Sequence, residues 1–286
     1  STILIKNETA TASGTLKHRF VWALVMWALS EGKITSSTTV YDSTSGNTGS
    51  AEAYMCKLIG VPYVAVVADD LEQEKRQQIT QFNGTLMPVD SSLRNHFAAK
   101  SATDNGGFFM NQFGNAEAAE EFHESGNFSM ESTNVFHEIL SQLQADGKGV
   151  PDYFIHSAGG TISSVGKYIT RYNVPTAVVL ADSQFSLFYD YVVSKNLLRE
   201  VIDQVVRVPD VASVAAMRKS KPLTLVTIMG DPGKFYESTY HNDTWIEGVF
   251  VEEGGVATLS CWQGEIDRSI QTGSNFMTEG QKKCLK

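Results

Sequence analysis

Hydrophobic residues along this chain fall into two alternating kinds of run. Longer stretches with helix-like patterning cover Leu16 to Ser30, Ser50 to Ile59, Leu71 to Gln81, Ala116 to His123, Asn134 to Ala145 and Thr161 to Tyr172. Short apolar runs lie between them: Tyr63 to Val67, Thr85 to Val89, Tyr153 to Ile155, Ala177 to Leu180 and Leu223 to Ile228. Strands that do not alternate apolar with polar residues, and are separated by helices, predict parallel sheets covered on both faces, an α/β fold. Asp146-Gly147-Lys148-Gly149 reads as a linker. It predicts two lobes, residues 1–146 and 147–286, each a mostly parallel twisted sheet flanked by helices. Folds of this kind usually place their chemistry between two such lobes.

Charge and composition narrow the function. The chain has 23 basic against 32 acidic residues, a net charge of -9, which excludes nucleic acid and anionic membranes as main partners. Its longest apolar stretch, Phe20 to Leu29, is too short to span a bilayer. The three cysteines, Cys56, Cys261 and Cys284, are odd in number and match neither a disulfide framework nor a zinc site. They predict reduced thiols, a cytoplasmic location and no metal. The chain opens at Ser1 on a strand-like run, Thr2 to Ile5.

Three segments carry chemistry. In Ala12-Ser13-Gly14-Thr15-Leu16-Lys17-His18-Arg19, a hydroxyl and glycine cluster leads into a helix apolar on almost every side, which belongs in a core. Lys17 then sits at a buried helix start, where the helix dipole and Arg19 disfavour an ammonium. A partly neutral lysine there suits imine formation with an aldehyde cofactor. Taken alone, it reads better as a lysine whose head snorkels to solvent. The second segment, Ser43-Thr44-Ser45-Gly46-Asn47-Thr48-Gly49, is an anion cradle at a helix N-terminus, with more hydroxyl groups than a cap needs. The third, His156-Ser157-Ala158-Gly159-Gly160-Thr161-Ile162-Ser163, follows a strand and lets main-chain N–H groups approach a phosphate closely. One special lysine and two anion cradles match a cofactor with an aldehyde and a phosphate, plus a carboxylate substrate.

These segments resemble, in order, those of the fold-type-II pyridoxal-phosphate enzymes, specifically the cysteine synthase / cystathionine β-synthase family. Lys17-His18-Arg19 stands where that family has Lys-Asp-Arg with its Schiff-base lysine. Ser45-Gly46-Asn47-Thr48-Gly49 is identical to its substrate-carboxylate loop, and Gly159-Gly160-Thr161-Ile162-Ser163 is similar to the end of its phosphate loop. Asn111-Gln112-Phe113-Gly114-Asn115 resembles its Gln-Phe-x-Asn, and Asp231-Pro232-Gly233-Lys234-Phe235-Tyr236 its late Asp-Ser-Gly-x-x-Tyr turn. The resemblance extends over about residues 3 to 245 and is nearest to an animal branch that includes nematode proteins.

The resemblance implies a tryptophan synthase β-like architecture, pyridoxal 5'-phosphate as cofactor, a small amino-acid substrate and a homodimer. It makes Lys17 the catalytic, cofactor-linked lysine. Asn47 would bind the cofactor's ring oxygen, and Gly159, Gly160 and Thr161 its phosphate. Thr44, Ser45, Thr48 and Gln112 would bind the substrate carboxylate. The implied reaction is β-elimination or β-replacement on cysteine, serine or an O-activated serine through an aminoacrylate.

The chain also departs from that family. Ser157-Ala158 stand where the phosphate loop should begin Gly-Thr, and Lys195 to Arg199 contains no glycine where a glycine-rich stretch is due. The segment Arg218 to Pro222 is too short for the helix and loop that should offer a Ser or Thr to the pyridine nitrogen. All three departures fall at ligand-contacting loops. They keep open an alternative, a catalytically degenerate paralogue that senses a metabolite or a partner. Among lesser features, Glu120-Glu121-x-His123 reads as a solvated acidic face, and Phe185, Phe188, Tyr189 and Tyr191 as core or a subunit interface.

Overall fold

A computed structural model of the chain describes residues 4–116, 118, 134–157, 159–183, 201–208, 228–229 and 236–285. It divides into two compact units. One comprises Lys6–Asp146 with Ile228–Phe235; the other comprises Ser1–Ile5, Gly147–Thr227 and Tyr236–Lys286.

The first unit is built on a parallel sheet of four strands, β2 (Val40–Ser43), β3 (Tyr63–Ala68), β4 (Thr85–Val89) and β5 (Phe108–Phe109), in the order β4-β3-β2-β5. The sequence Tyr-Val-Ala-Val-Val-Ala of β3 is almost wholly buried, as a strand covered on both faces must be. Helices α1 (Lys17–Ser30), α2 (Asn47–Ile59), α3 (Gln73–Thr80) and α4 (Arg94–Asp104) accompany the sheet. Val21, Leu24, Val25 and Ala28 of α1 join Ala51, Ala53, Met55 and Cys56 of α2 in one core with Val40, Ala65 and Val67 of the sheet. Chain direction reverses after α2 because Gly60 takes a left-handed conformation (φ 75°), and its N–H returns to the carbonyls of Cys56 and Lys57. A further helix, α5 (Val135–Ala145), closes this stretch of chain. A short strand at Lys6–Asn7, β1, pairs in parallel with Ile228–Met229, β9.

The second unit carries a parallel sheet of β6 (Tyr153–His156), β7 (Ala177–Ser183) and β8 (Gln204–Val208), in that order, with α6 (Gly160–Arg171) between the first two strands. Three C-terminal helices, α7 (Asp243–Val249), α8 (Gly255–Thr272) and α9 (Phe276–Lys283), gather a separate core of Ile246, Leu259, Trp262 and Ile266. A methyl group on Gly280 would sit 2.1 Å from the Trp262 ring, so α9 approaches α8 closely only because that residue is glycine.

The cysteines require a correction. Cys261 and Cys284 are joined as a disulfide between α8 and the end of α9, and only Cys56 is free, buried in the first core. An odd count conceals one bonded pair here because the pairing depends on how two helices pack, which spacing does not reveal. Disulfides persist in oxidising compartments, so the cysteines no longer support a cytoplasmic location. Among the described residues, no helix is long and apolar enough to cross a membrane. Most of the expected helix at Ala116 to His123 lies outside the described residues. So do the aromatic cluster at Phe185 to Tyr191, the run Lys195 to Arg199, the segment Met217 to Leu223 and the turn from Asp231 to Phe235.

Candidate active site

Lys17 is the first residue of α1, and a hydroxyl-stapled turn sets it there. Thr11 Oγ1 accepts the N–H of Thr15 at 3.0 Å and donates to the Thr15 carbonyl at 2.8 Å, and Thr15 Oγ1 accepts the N–H of Lys17 at 2.8 Å. Gly14 turns the chain with φ 76°. Lys17 keeps solvent-accessible surface, yet its amine end is surrounded by protein, and this burial holds its pKa below the ordinary lysine value. Among the described residues, nothing pairs with that amine. The sequence also assigned Arg19 a part in lowering this pKa, and the structure corrects that. Arg19 is matched by the buried carboxylate of Glu8, at 2.6 and 2.9 Å, and by Glu138 at 2.6 Å, while Lys6 holds the other Glu138 oxygen at 2.5 Å.

The second cradle connects β2 to α2. Thr44 Oγ1 accepts the N–H groups of Gly46 at 3.2 Å and Gly49 at 2.9 Å, so this hydroxyl closes the loop on itself. Gly46 sits at φ 135°, and a methyl group on Gly49 would lie 2.5 Å from Thr44 Cγ2. Both glycines are therefore fixed by the loop's geometry. Ser45 is exposed at the tip, Asn47 is half-buried with its Oδ1 accepting from Gln78 Nε2 at 3.3 Å, and Thr48 is buried. Gln112 is buried and donates its side-chain amide to the Ser43 carbonyl at 2.8 Å, which brings it to the end of β2 beside the loop. The turn of Lys17 is tied to the same place, because Ser50 Oγ contacts the carbonyls of Ser13 (3.3 Å) and Gln78 (3.1 Å).

Lys17, Thr44, Ser45, Asn47, Thr48 and Gln112 thus belong to one unit. Gly159, Gly160 and Thr161 belong to the other, between β6 and α6. Gly159 has φ 140°, and a methyl group on either glycine would meet no atom within 4 Å, so this turn is open at the start of its helix.

Sequence reasoning missed two side chains at the loop between β2 and α2. Arg94 donates to the Thr44 carbonyl at 3.1 Å, and Asn95 accepts from the Ser43 hydroxyl. Both come from α4, whose only buried residues are Ala98, Ser101 and Ala102. So short and weakly apolar a face leaves no periodic signal, and no motif marks the two residues.

A family model described as pyridoxal-phosphate dependent enzyme matches residues 1–220. The chain belongs to that family. It is 48% identical to a Caenorhabditis elegans protein provisionally named as pyridoxal-phosphate dependent, over 99% of this chain and 82% of that one. That alignment runs to 355 positions, more than the 286 residues of the chain, so the nematode protein carries stretches with no counterpart here. The chain is 28% identical to the L-cysteine desulfhydrase of Mycobacterium tuberculosis, over 94% of its own length and 85% of the relative's. Two crystal structures share the fold. O-ureido-L-serine synthase superposes with a TM-score of 0.65 at 22% identity, covering 85% and 86% of the two chains. A hydrogen sulfide-producing enzyme of Fusobacterium nucleatum gives 0.64 at 20%, covering 84% of each.

The residues present fit pyridoxal phosphate. An amine with a depressed pKa and no partner among the described residues is what an aldehyde must find, and an open glycine turn at a helix start is what a phosphate must find.

Proposed function

We propose that this chain eliminates or replaces the β-substituent of cysteine, serine or an O-activated serine. The observation that supports it most is Lys17, an exposed lysine with no partner among the described residues, whose turn is tied through Ser50 to a hydroxyl-rich anion loop. Bound pyridoxal phosphate would supply an electron sink at the amino acid's Cα.

The chain's own residues do the rest. Lys17 would hold the cofactor and would take the Cα proton, a role suited to an amine whose pKa is lowered by burial. Asn47 would hold the cofactor's ring oxygen, and the turn from Gly159 to Thr161 would hold its phosphate. Main-chain N–H groups at the start of α2, with Thr44, Ser45, Thr48 and Gln112, grip the substrate carboxylate and so fix which Cα bond is aligned for cleavage. The β-substituent leaves with the electron pair of its bond. The three-carbon remainder would then either take a thiol at Cβ, with the proton returned to Cα, or be hydrolysed by water to pyruvate and ammonia. A homodimer belongs to the same proposal and draws on the family resemblance alone; sedimentation of the purified chain decides it.

A rival reading makes the chain a metabolite- or partner-binding paralogue without turnover. Ser157 at the head of the phosphate turn, where the family has glycine, favours it. Assays for sulfide, pyruvate and ammonia from cysteine, serine and O-acetylserine separate the two. Release that is lost in Lys17→Ala supports the enzyme, and binding of these amino acids without any release supports the rival.

A further inference from the structure

Beneath the carboxylate loop lie two acids that the reaction does not use. Asp42, on β2, is 1% exposed, and Glu52, on α2, is 0% exposed. Each carboxyl group acts on the ionisation of the other. Tyr63 on β3 donates its hydroxyl to Glu52 Oε2 at 2.5 Å. If both acids were ionised, both oxygens of Asp42 and Oε1 of Glu52 would be buried without a partner. Two adjacent carboxylates cut off from water repel each other, and each forfeits its hydration.

A single proton resolves this arrangement. Placed on Glu52, it gives that acid a hydrogen to donate to Asp42, and Tyr63 then completes a chain of donors running Tyr63 to Glu52 to Asp42. The charge left on Asp42 faces the main-chain N–H groups of Ser43, Gln112 and Asn111, none of them in well-aligned hydrogen-bond geometry. Those amides belong to the two segments that would hold the substrate carboxylate. The Cys56 thiol feels the pair, since burial and then Glu52 push its pKa up, while other titratable groups on the surrounding elements are engaged elsewhere. Cys56 of α2 is buried, and His18 of α1 packs on Tyr54 at 5.4 Å. Lys75 of α3 lies against Gly46 and pairs with Glu72, and Arg94 of α4 reaches the Thr44 carbonyl.

We propose that Asp42 and Glu52 are a proton-sharing pair of positioning residues, with neutral Glu52 donating to an ionised Asp42 that seats the loops around Ser43 and Gln112. The proposal rests on the reading that those loops bind an amino-acid carboxylate.

Infrared spectroscopy and glycine binding test it on the cofactor-loaded chain. At neutral pH the wild type should show the carbonyl stretch of a protonated carboxylic acid, and both Glu52→Gln and Glu52→Leu should lose it. Glycine lacks a β-substituent, so its dissociation constant, read from the cofactor's visible absorbance, reports carboxylate binding without turnover. Glu52→Leu removes the donor to a buried charge and should weaken glycine about tenfold or more, while Glu52→Gln keeps a donor and should stay close to wild type. No band in the wild type, or an unchanged glycine affinity in Glu52→Leu, overturns the pair. Should Glu52→Leu fail to fold, the isosteric Glu52→Gln still decides through the band. Glycine binding with no sulfide, pyruvate or ammonia release would count against the enzymatic reading while leaving the pair in place.

Discussion

Ser50, in the first turn of α2, places its hydroxyl 3.3 Å from the main-chain carbonyl of Ser13. This contact between two residues far apart in sequence joins the turn that presents Lys17 to the loop that presents Thr44, Ser45, Asn47 and Thr48. Ser50 is wholly buried and also meets the Gln78 carbonyl, which anchors the arrangement to α3.

Ser50→Ala should therefore act on both stability and catalysis. The Gln78 carbonyl also accepts from Gln81 Nε2 at 3.0 Å, so removing the hydroxyl leaves the Ser13 carbonyl without this donor, a loss of about 1–3 kcal/mol. Urea unfolding measures the loss. A larger fall in kcat/KM than in stability would show that the link between turn and loop is used in the reaction, and equal activity in the variant would count against it.

Lys17→Ala should behave in the opposite way. The amine has no partner among the described residues, so its removal should change stability by no more than about 0.5 kcal/mol. The visible absorption of lysine-linked pyridoxal phosphate should vanish and turnover should cease. A variant that kept the wild-type spectrum would remove Lys17 from its assigned role.

Much of this framework could be read before the structure, for identifiable reasons. α1 and α2 begin after glycine and hydroxyl clusters and continue as apolar helices, so both starts and the chemistry beside them were legible. β2 was not. Its four residues, Val-Tyr-Asp-Ser, are all buried, but an aspartate and a serine interrupt the apolar run that identifies an interior strand. The buried Asp42 that hid the strand is the residue now paired with Glu52. The C-terminal helices were missed as well, because the close seat of Gly280 on Trp262 and the bond between Cys261 and Cys284 are properties of packing and leave no local pattern.

The pair of acids should leave a mark on stability as pH changes. Burial pushes the Asp42 carboxyl up from 3.8 to about 6, and Glu52 also lies well above its ordinary value. Over this window the folded chain binds more protons than the unfolded one, so these groups make stability fall as pH rises. Glu138 works in the other direction, because Lys6 and Arg19 hold its pKa down against the opposing effect of burial. The difference in Tm between Asp42→Asn/Glu52→Gln and wild type isolates the first contribution. It should shift in the variant's favour between about pH 4 and pH 6. A difference that stays flat with pH would mean that the two acids do not titrate as a buried pair.

Glu8 and Arg19 predict a loss of a different size. Glu8 is 1% exposed, and the Arg19 fork is what neutralises it. Arg19→Ala should cost about 3–5 kcal/mol by leaving a carboxylate buried alone. Arg19→Lys should recover only part of it, since an ammonium cannot bond both oxygens of Glu8 and also reach Glu138 in one plane. Equal stability of the alanine and lysine variants would show that the fork geometry is irrelevant.

The bond between Cys261 and Cys284 gives a chemical count as well as an energy. Denatured, unreduced chain should react with thiol reagent at Cys56 alone, and reduction should expose all three cysteines. The bridge closes a loop with a sequence separation of 23 residues, which in the chain-entropy model corresponds to about 3 kcal/mol of stability. The loss should be concentrated in the cluster of α7, α8 and α9, because Cys284 belongs to the core that Trp262 and Ile266 form there. Hydrogen exchange before and after reduction locates it. Faster exchange across residues 243–283, with residues 40–68 unchanged, is the expected result, and three reactive thiols before reduction would rule the bridge out.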